Sequence, residues 1–257
     1  MTNYQSTTAS PTGDISPRKV ALIAGIGLLL MAIMAPLAHF GVLQNLIVPG
    51  DGAATIENIV GSEGLFRLSI AALLVVTFLD ILLAWALYLL FRPVNPTVAM
   101  LVGWLRLAAP AVFAVALANL LVVANLVRGT EGVALPAAQL QGQVMASIAS
   151  FNSGWDMSLA IFGLHLLGLG YLLFRSAHFP RFLGVLVVIA GAGYLADSFT
   201  RILLPEFEFT FGIFTFVGEA LLILWLIGRA VRGFPSESRD PGDTTEPRLA
   251  QPSPVAS

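Results

Sequence analysis

Long apolar runs alternate along the chain with short polar interruptions. Six runs are long enough for a helix to cross about 30 Å of hydrocarbon in roughly 20 residues. They fall at about 20–41, 66–91, 97–127, 155–174, 182–204 and 208–231. Apolar and polar residues do not alternate within them, as they would in the strands of a membrane barrel. Backbone groups in lipid must be satisfied inside their own segment, so these runs predict helices. The expected fold is all-α: a polytopic membrane protein built as a six-transmembrane-helix bundle.

The polar interruptions set the expected orientation. Arg18, Lys19, Arg92, Arg175, Arg181, Arg229 and Arg232 flank one face, and only Arg67, Arg128 and Arg201 flank the other. Basic residues concentrate on the cytoplasmic side, so both termini are expected there, in a plasma or inner membrane. The turns RPVNP and RSAHFPR are then cytoplasmic, and the long connections 42–65 and 128–154 are extracytoplasmic. Each long connection carries a helical pattern. Asp51 is placed to N-cap a short helix through Val60. Leu140, Val144, Ile148 and Phe151 share one helical face. Each segment either lies flat in the interface as a short helix or extends the span that follows it. The first run, Val20 to Val42, exceeds the core of about 7–15 residues found in a signal peptide, and reads as a retained span. Residues 1–17 and 233–257 are rich in Ser, Thr and Pro and are expected to be disordered cytoplasmic tails, leaving a membrane domain at 18–232.

Composition narrows the function classes. The chain is 57% apolar and 11% charged, against about 25% charged in a soluble domain. Its net charge of −2 offers no basic stripe for nucleic acid. There is no cysteine, which excludes disulfides, iron–sulfur clusters and thiolate metal sites. The single lysine, Lys19, lies at a membrane edge, so no retinal-type Schiff base can form within a span. His39, His165 and His178 fall at three depths and cannot pair across a haem. No HExxH or GxSxG motif is present. A zinc ion at His165, Glu219 and Asp80 would meet repulsion from Arg106. No cofactor or metal is expected.

The candidate chemistry lies inside the spans. With a rise of about 1.5 Å per residue, Asp80, Arg106, His165 and Glu219 each stand about 14–16 Å above the cytoplasmic end of their own helix. Left unpaired in lipid, Asp80, Arg106 and Glu219 together would cost roughly 8–10 kcal/mol. They are therefore expected to converge inside the bundle, with Arg106 between the two carboxyls and His165 in hydrogen-bonding reach. Pro110, four residues after Arg106, removes the N–H that would bond the Arg106 carbonyl and is expected to bend the span. Asp197 and Arg201 sit four residues apart and form, with Arg67, an outer polar layer expected to be structural. His39 and Asp156 should lie near the same level. Small residues at Ala21 and Gly25, Ala114 and Ala118, and Gly191 and Gly193 mark close helix approaches.

Several motifs recur in a recognisable order: IVPGDGAAT, LFRL, Asp80, LLFRPVN, WLRL at 104–107, FGLH at 162–165, FPRFLG, YLADS at 194–198 and GE at 218–219. In order and spacing the chain resembles the bacterial membrane family called domain of unknown function 4386. The resemblance implies a six-span membrane protein of no established activity, and it carries no catalytic residues over to this sequence. Three readings of the cluster stand open. It lines a site for binding or transport of a small solute, a lipid or a proton-linked species. It serves an intramembrane enzyme acting on a lipid-soluble substrate, which is the less favoured reading. Or it fixes helix packing in a structural or regulatory partner. The bilayer is the expected surrounding, with a small-molecule or lipid ligand under the first reading. A homo-oligomer is compatible with the sequence but not indicated by it.

Overall fold

Residues 16–129, 135–204 and 212–232 are described by a computed structural model, with side chains from Val217 onward in the last stretch. Both expected disordered tails lie outside the described residues, apart from the last two residues of the first. The centre of the second long connection and the start of the sixth run lie outside them as well.

The elements in chain order are α1 (Pro17–Pro36), a π-helical segment (Leu37–Leu43), α2 (Gln44–Leu46), α3 (Gly52–Gly61), α4 (Glu63–Phe91), α5 (Pro96–Arg128), α6 (Ala137–Arg175), α7 (Arg181–Leu203) and α8 (Gly212–Arg232). Among the described residues, five helical stretches are long and apolar enough to cross a membrane: Pro17–Leu46, Glu63–Phe91, Pro96–Arg128, Ala137–Arg175 and Arg181–Leu203. Large apolar side chains such as Phe78, Trp104, Val115, Phe182 and Leu224 point outward. An outer surface of that kind suits lipid and not water.

Local chemistry explains the helix ends. Ser16 caps α1 ahead of Pro17, whose missing N–H costs nothing in a first turn. At Pro36 the helix loosens into the π segment, because proline has no N–H to give the carbonyl four residues back. Asn45 Nδ2 then donates to the carbonyls of Phe40 and Gly41 at 3.3 and 2.8 Å. The first span therefore runs on to Leu46, beyond the boundary expected from apolarity alone. Asn95 caps α5 by accepting from Val98 N at 3.1 Å. Gly129, with φ of 65°, closes that helix in the left-handed region. Helix α5 runs unbroken through Pro110.

The two long connections resolve differently. Asp51 does cap a separate helix, its Oδ1 accepting from Ala54 N at 2.9 Å. Fully buried Thr55 ties α3 back to the loop, donating to Asp51 O at 2.7 Å and accepting from Val48 N at 3.0 Å. Gly52 lies so close to α6 that a Cβ there would stand 2.9 Å from Gln141 Cβ. The helical pattern at 140–151, by contrast, is continuous with the span that follows, giving α6 a length of 39 residues. Replacing Asp51 by alanine should cost about 1 kcal/mol through loss of the cap. Faster hydrogen exchange at Ala54, with the central helices unaffected, is the signature expected.

The long helices form a ring in chain order. Helix α1 packs on α4, α4 on α5, α5 on α6, α6 on α7, α7 on α8, and α8 returns to α1. Arg18 latches the closing contact by donating from Nε to Ala230 O at 2.5 Å and from Nη2 to Val231 O at 2.9 Å. A guanidinium there also complements the negative end of the α8 dipole. Two apolar cores fill the ring. One lies toward the chain ends and includes Ala24, Leu83, Leu87, Leu172 and Leu226. The other lies under α3 and includes Phe66, Leu73, Phe113, Leu120 and Phe151.

Candidate functional site

Arg106 is the centre of the polar cluster. It is 1% exposed, and it projects from α5 into the ring. Its Nη2 lies 2.8 Å from Asp80 Oδ1 on α4. That contact is an ion pair without aligned hydrogen-bond geometry, so Oδ1 remains a buried oxygen with no hydrogen-bond donor. Nη1 lies 3.1 Å from His165 Nε2 on α6. A guanidinium can only donate, so Nε2 accepts and His165 is the Nδ1–H tautomer. Nδ1 in turn donates to the Val102 carbonyl at 2.9 Å, one turn before Arg106 on α5. Arg106 Nη2 also approaches Met31 Sδ of α1 at 3.9 Å, and its guanidinium carbon lies 5.4 Å from the Phe162 ring centre.

Glu219 of α8 completes the set. Arg106 and Glu219 line one cavity of about 10 Å³, closed by Leu28, Leu87, Phe162, Leu166, Leu169 and Leu222. Tyr194 of α7 hydrogen-bonds the Glu219 carboxyl. Glu219 Oε1 and Arg106 Nε remain buried with no hydrogen-bond partner. Five helices thus each present one polar side chain to the same place: Asp80, Arg106, His165, Tyr194 and Glu219. The geometry brings together all four residues expected there from their depths. Tyr194, Met31 and Phe162 were not expected. Phe162 sits three residues before His165 and so shares its helix face, a spacing visible in the sequence. Tyr194 opens the YLADS motif, but nothing in the sequence turns its ring toward Glu219.

The expected outer layer divides into two. Arg201 forms an ion pair with Asp156 Oδ1 of α6, a partner on another helix in addition to any within its own. Asp197 is buried beside Ser198, whose Oγ donates to the Asp156 carbonyl at 3.0 Å. Nearby, His39 of the π segment stacks on Trp155 with ring centres 4.1 Å apart. Arg67 belongs elsewhere. Its Nε lies 2.7 Å from Glu63 Oε1, which Arg128 Nε shares at 2.9 Å, and its Nη2 donates to Ala124 O at 3.3 Å. Solvent screens exposed pairs of this kind, so they add little to stability. The central cluster is the place where charge is costly and geometry decides.

Comparison with known proteins places the chain but assigns it no activity. An uncharacterised protein of Archaeoglobus fulgidus is 30% identical over 159 residues, covering 62% of this chain and 82% of that protein. No solved structure matches. The family model for the domain of unknown function DUF4386 matches residues 23–230, nearly the whole helical ring, and the chain belongs to that family.

Proposed function

We propose that this is a six-span protein of the plasma or inner membrane, with both termini cytoplasmic, whose central cluster is an occluded, proton-linked binding or transport site. Helix α8, 21 residues long and closing the ring, is the sixth span in this reading. The excess of basic residues at one set of helix ends supports the orientation.

The observation that carries the reading is the charge balance around Arg106. Two carboxyls, Asp80 and Glu219, share one guanidinium, and His165 is held as a neutral hydrogen-bonding group. The set balances only when it also holds one proton or one further monovalent cation. An uncompensated charge in so dry a place is expensive. A proton taken up or released there therefore couples to any opening of the bundle. The cavity, about 10 Å³, is far too small for a solute or a lipid tail, so a larger ligand would require the helices to part.

The test is a pH-gradient experiment in proteoliposomes with an interior pH dye. Wild-type protein should collapse the gradient faster than empty liposomes, and Glu219→Gln, which keeps the cluster charge-balanced without a titratable group at that position, should not. Equal rates for wild type, variant and empty liposomes would overturn the reading. A second reading is favoured by how completely packing encloses Arg106: the cluster fixes helix register alone. In that case Glu219→Gln changes melting in detergent but wild type carries no flux.

A further inference from the structure

Of the buried polar atoms at the centre of the ring that lack hydrogen-bond partners, two belong to residues lining one cavity, Arg106 and Glu219. Arg106 uses Nη1 on His165 and Nη2 on Asp80 and Met31, while its Nε–H finds no acceptor. Glu219 accepts from Tyr194 on its carboxyl, while Oε1 finds no donor. Burying such a group unpaired costs on the order of 1–3 kcal/mol, and more for a charged one. One atom is a donor and the other an acceptor. Their residues face the same cavity, whose remaining walls are leucine and phenylalanine.

We propose that this cavity is the binding site of one internal water molecule, which accepts from Arg106 Nε and donates to Glu219 Oε1. Size supports a single molecule: the cavity is about 10 Å³, and one water requires roughly 10–15 Å³ of such space with two to four polar partners. A metal cation fits poorly, since the guanidinium repels it and, among the described residues, Glu219 is the only carboxyl on the cavity wall. The water would complete a polar chain that begins at the Asp80–Arg106 ion pair and continues by hydrogen bonds to Glu219 and Tyr194, spanning α4, α5, α8 and α7. His165, on α6, branches from Arg106, and α1 contributes the apolar Leu28 and Met31 to the surroundings. The water's presence stands independently of the proton-linked reading, but its role as a relay rests on that reading.

The experiment is infrared difference spectroscopy of the full-length protein in lipid, exchanged between ordinary and heavy-oxygen water. Wild type should show one narrow O–H stretching band that shifts on exchange, and Leu28→Phe, which fills the cavity while keeping both polar partners, should lose it. The absence of the band from wild type, or its persistence in Leu28→Phe, would overturn the proposal. Should Leu28→Phe fail to fold, an experimental map that resolves ordered water decides between a filled and an empty cavity. A missing band refutes the water. A missing proton flux refutes the proton-linked reading and leaves the water standing.

Discussion

Arg106→Gln should destabilise the bundle by about 3–5 kcal/mol, the usual consequence of removing one partner from a buried ion pair. The variant leaves Asp80 and Glu219 inside the ring with no counter-charge. It also removes the donor that orients His165 Nε2 at 3.1 Å. Folded yield and melting temperature in detergent should both fall sharply. Adding Asp80→Asn should recover a large part of the loss, because the second substitution removes a charge that the first left stranded. The double-mutant cycle separates this from simple additivity, since residues in contact couple by roughly 0.5–3 kcal/mol. Additive losses, with no recovery in the double variant, would mean that the 2.8 Å contact between Asp80 and Arg106 does not govern the core.

Helix α6 against α7 should be the most intolerant seam of the molecule. Two glycine pairs cross there, Gly163 with Gly191 and Gly170 with Gly184. A Cβ on Gly191 would stand 2.7 Å from Gly163 O, and one on Gly184 would stand 2.7 Å from Gly170 O. The obstacle is backbone, which cannot rotate away as a side-chain tip can. Gly184→Ala should therefore cost at least the roughly 1–3 kcal/mol of an overpacked core, and Gly184→Leu should abolish folding. Gly142, on the same helix α6 but with open space around it, gives the opposite sign. There alanine should be neutral or stabilise by up to about 1 kcal/mol, since glycine is a poor helix former. Melting in detergent compares the two directly. Equal tolerance at positions 184 and 142 would refute the seam.

The common depth of Asp80, Arg106, His165 and Glu219 was legible because each helix has a recognisable end from which to count. Arg92, Asn95, Arg175 and Arg229 mark those ends, and a rise of about 1.5 Å per residue does the rest. Rotation about the helix axis is harder to read in runs that are apolar on nearly every face. That is why Tyr194 was missed although it bonds Glu219. Arg201 shows the same limit. Asp197, four residues away, and Asp156, on another helix, are equivalent partners in the sequence, and only the packing of α6 on α7 brings Asp156 within reach. Gly191 stood out as a small residue, but pairing it with Gly163 needs the antiparallel register of two helices. Ala118 illustrates the converse, since it faces outward while neighbouring Ala116 makes the contact with Gly154.

The tight turn between α4 and α5 has a consequence for biogenesis. Asp80 and Arg106 lie on helices joined by only a few residues, so they leave the ribosome almost together. They can enter the bilayer as a hairpin whose opposite charges already neutralise each other. Glu219 follows more than a hundred residues later, once that hairpin is in place. A nascent chain halted before α8 would thus hold a neutral but unsealed centre, and the last helix to arrive is the one that closes it.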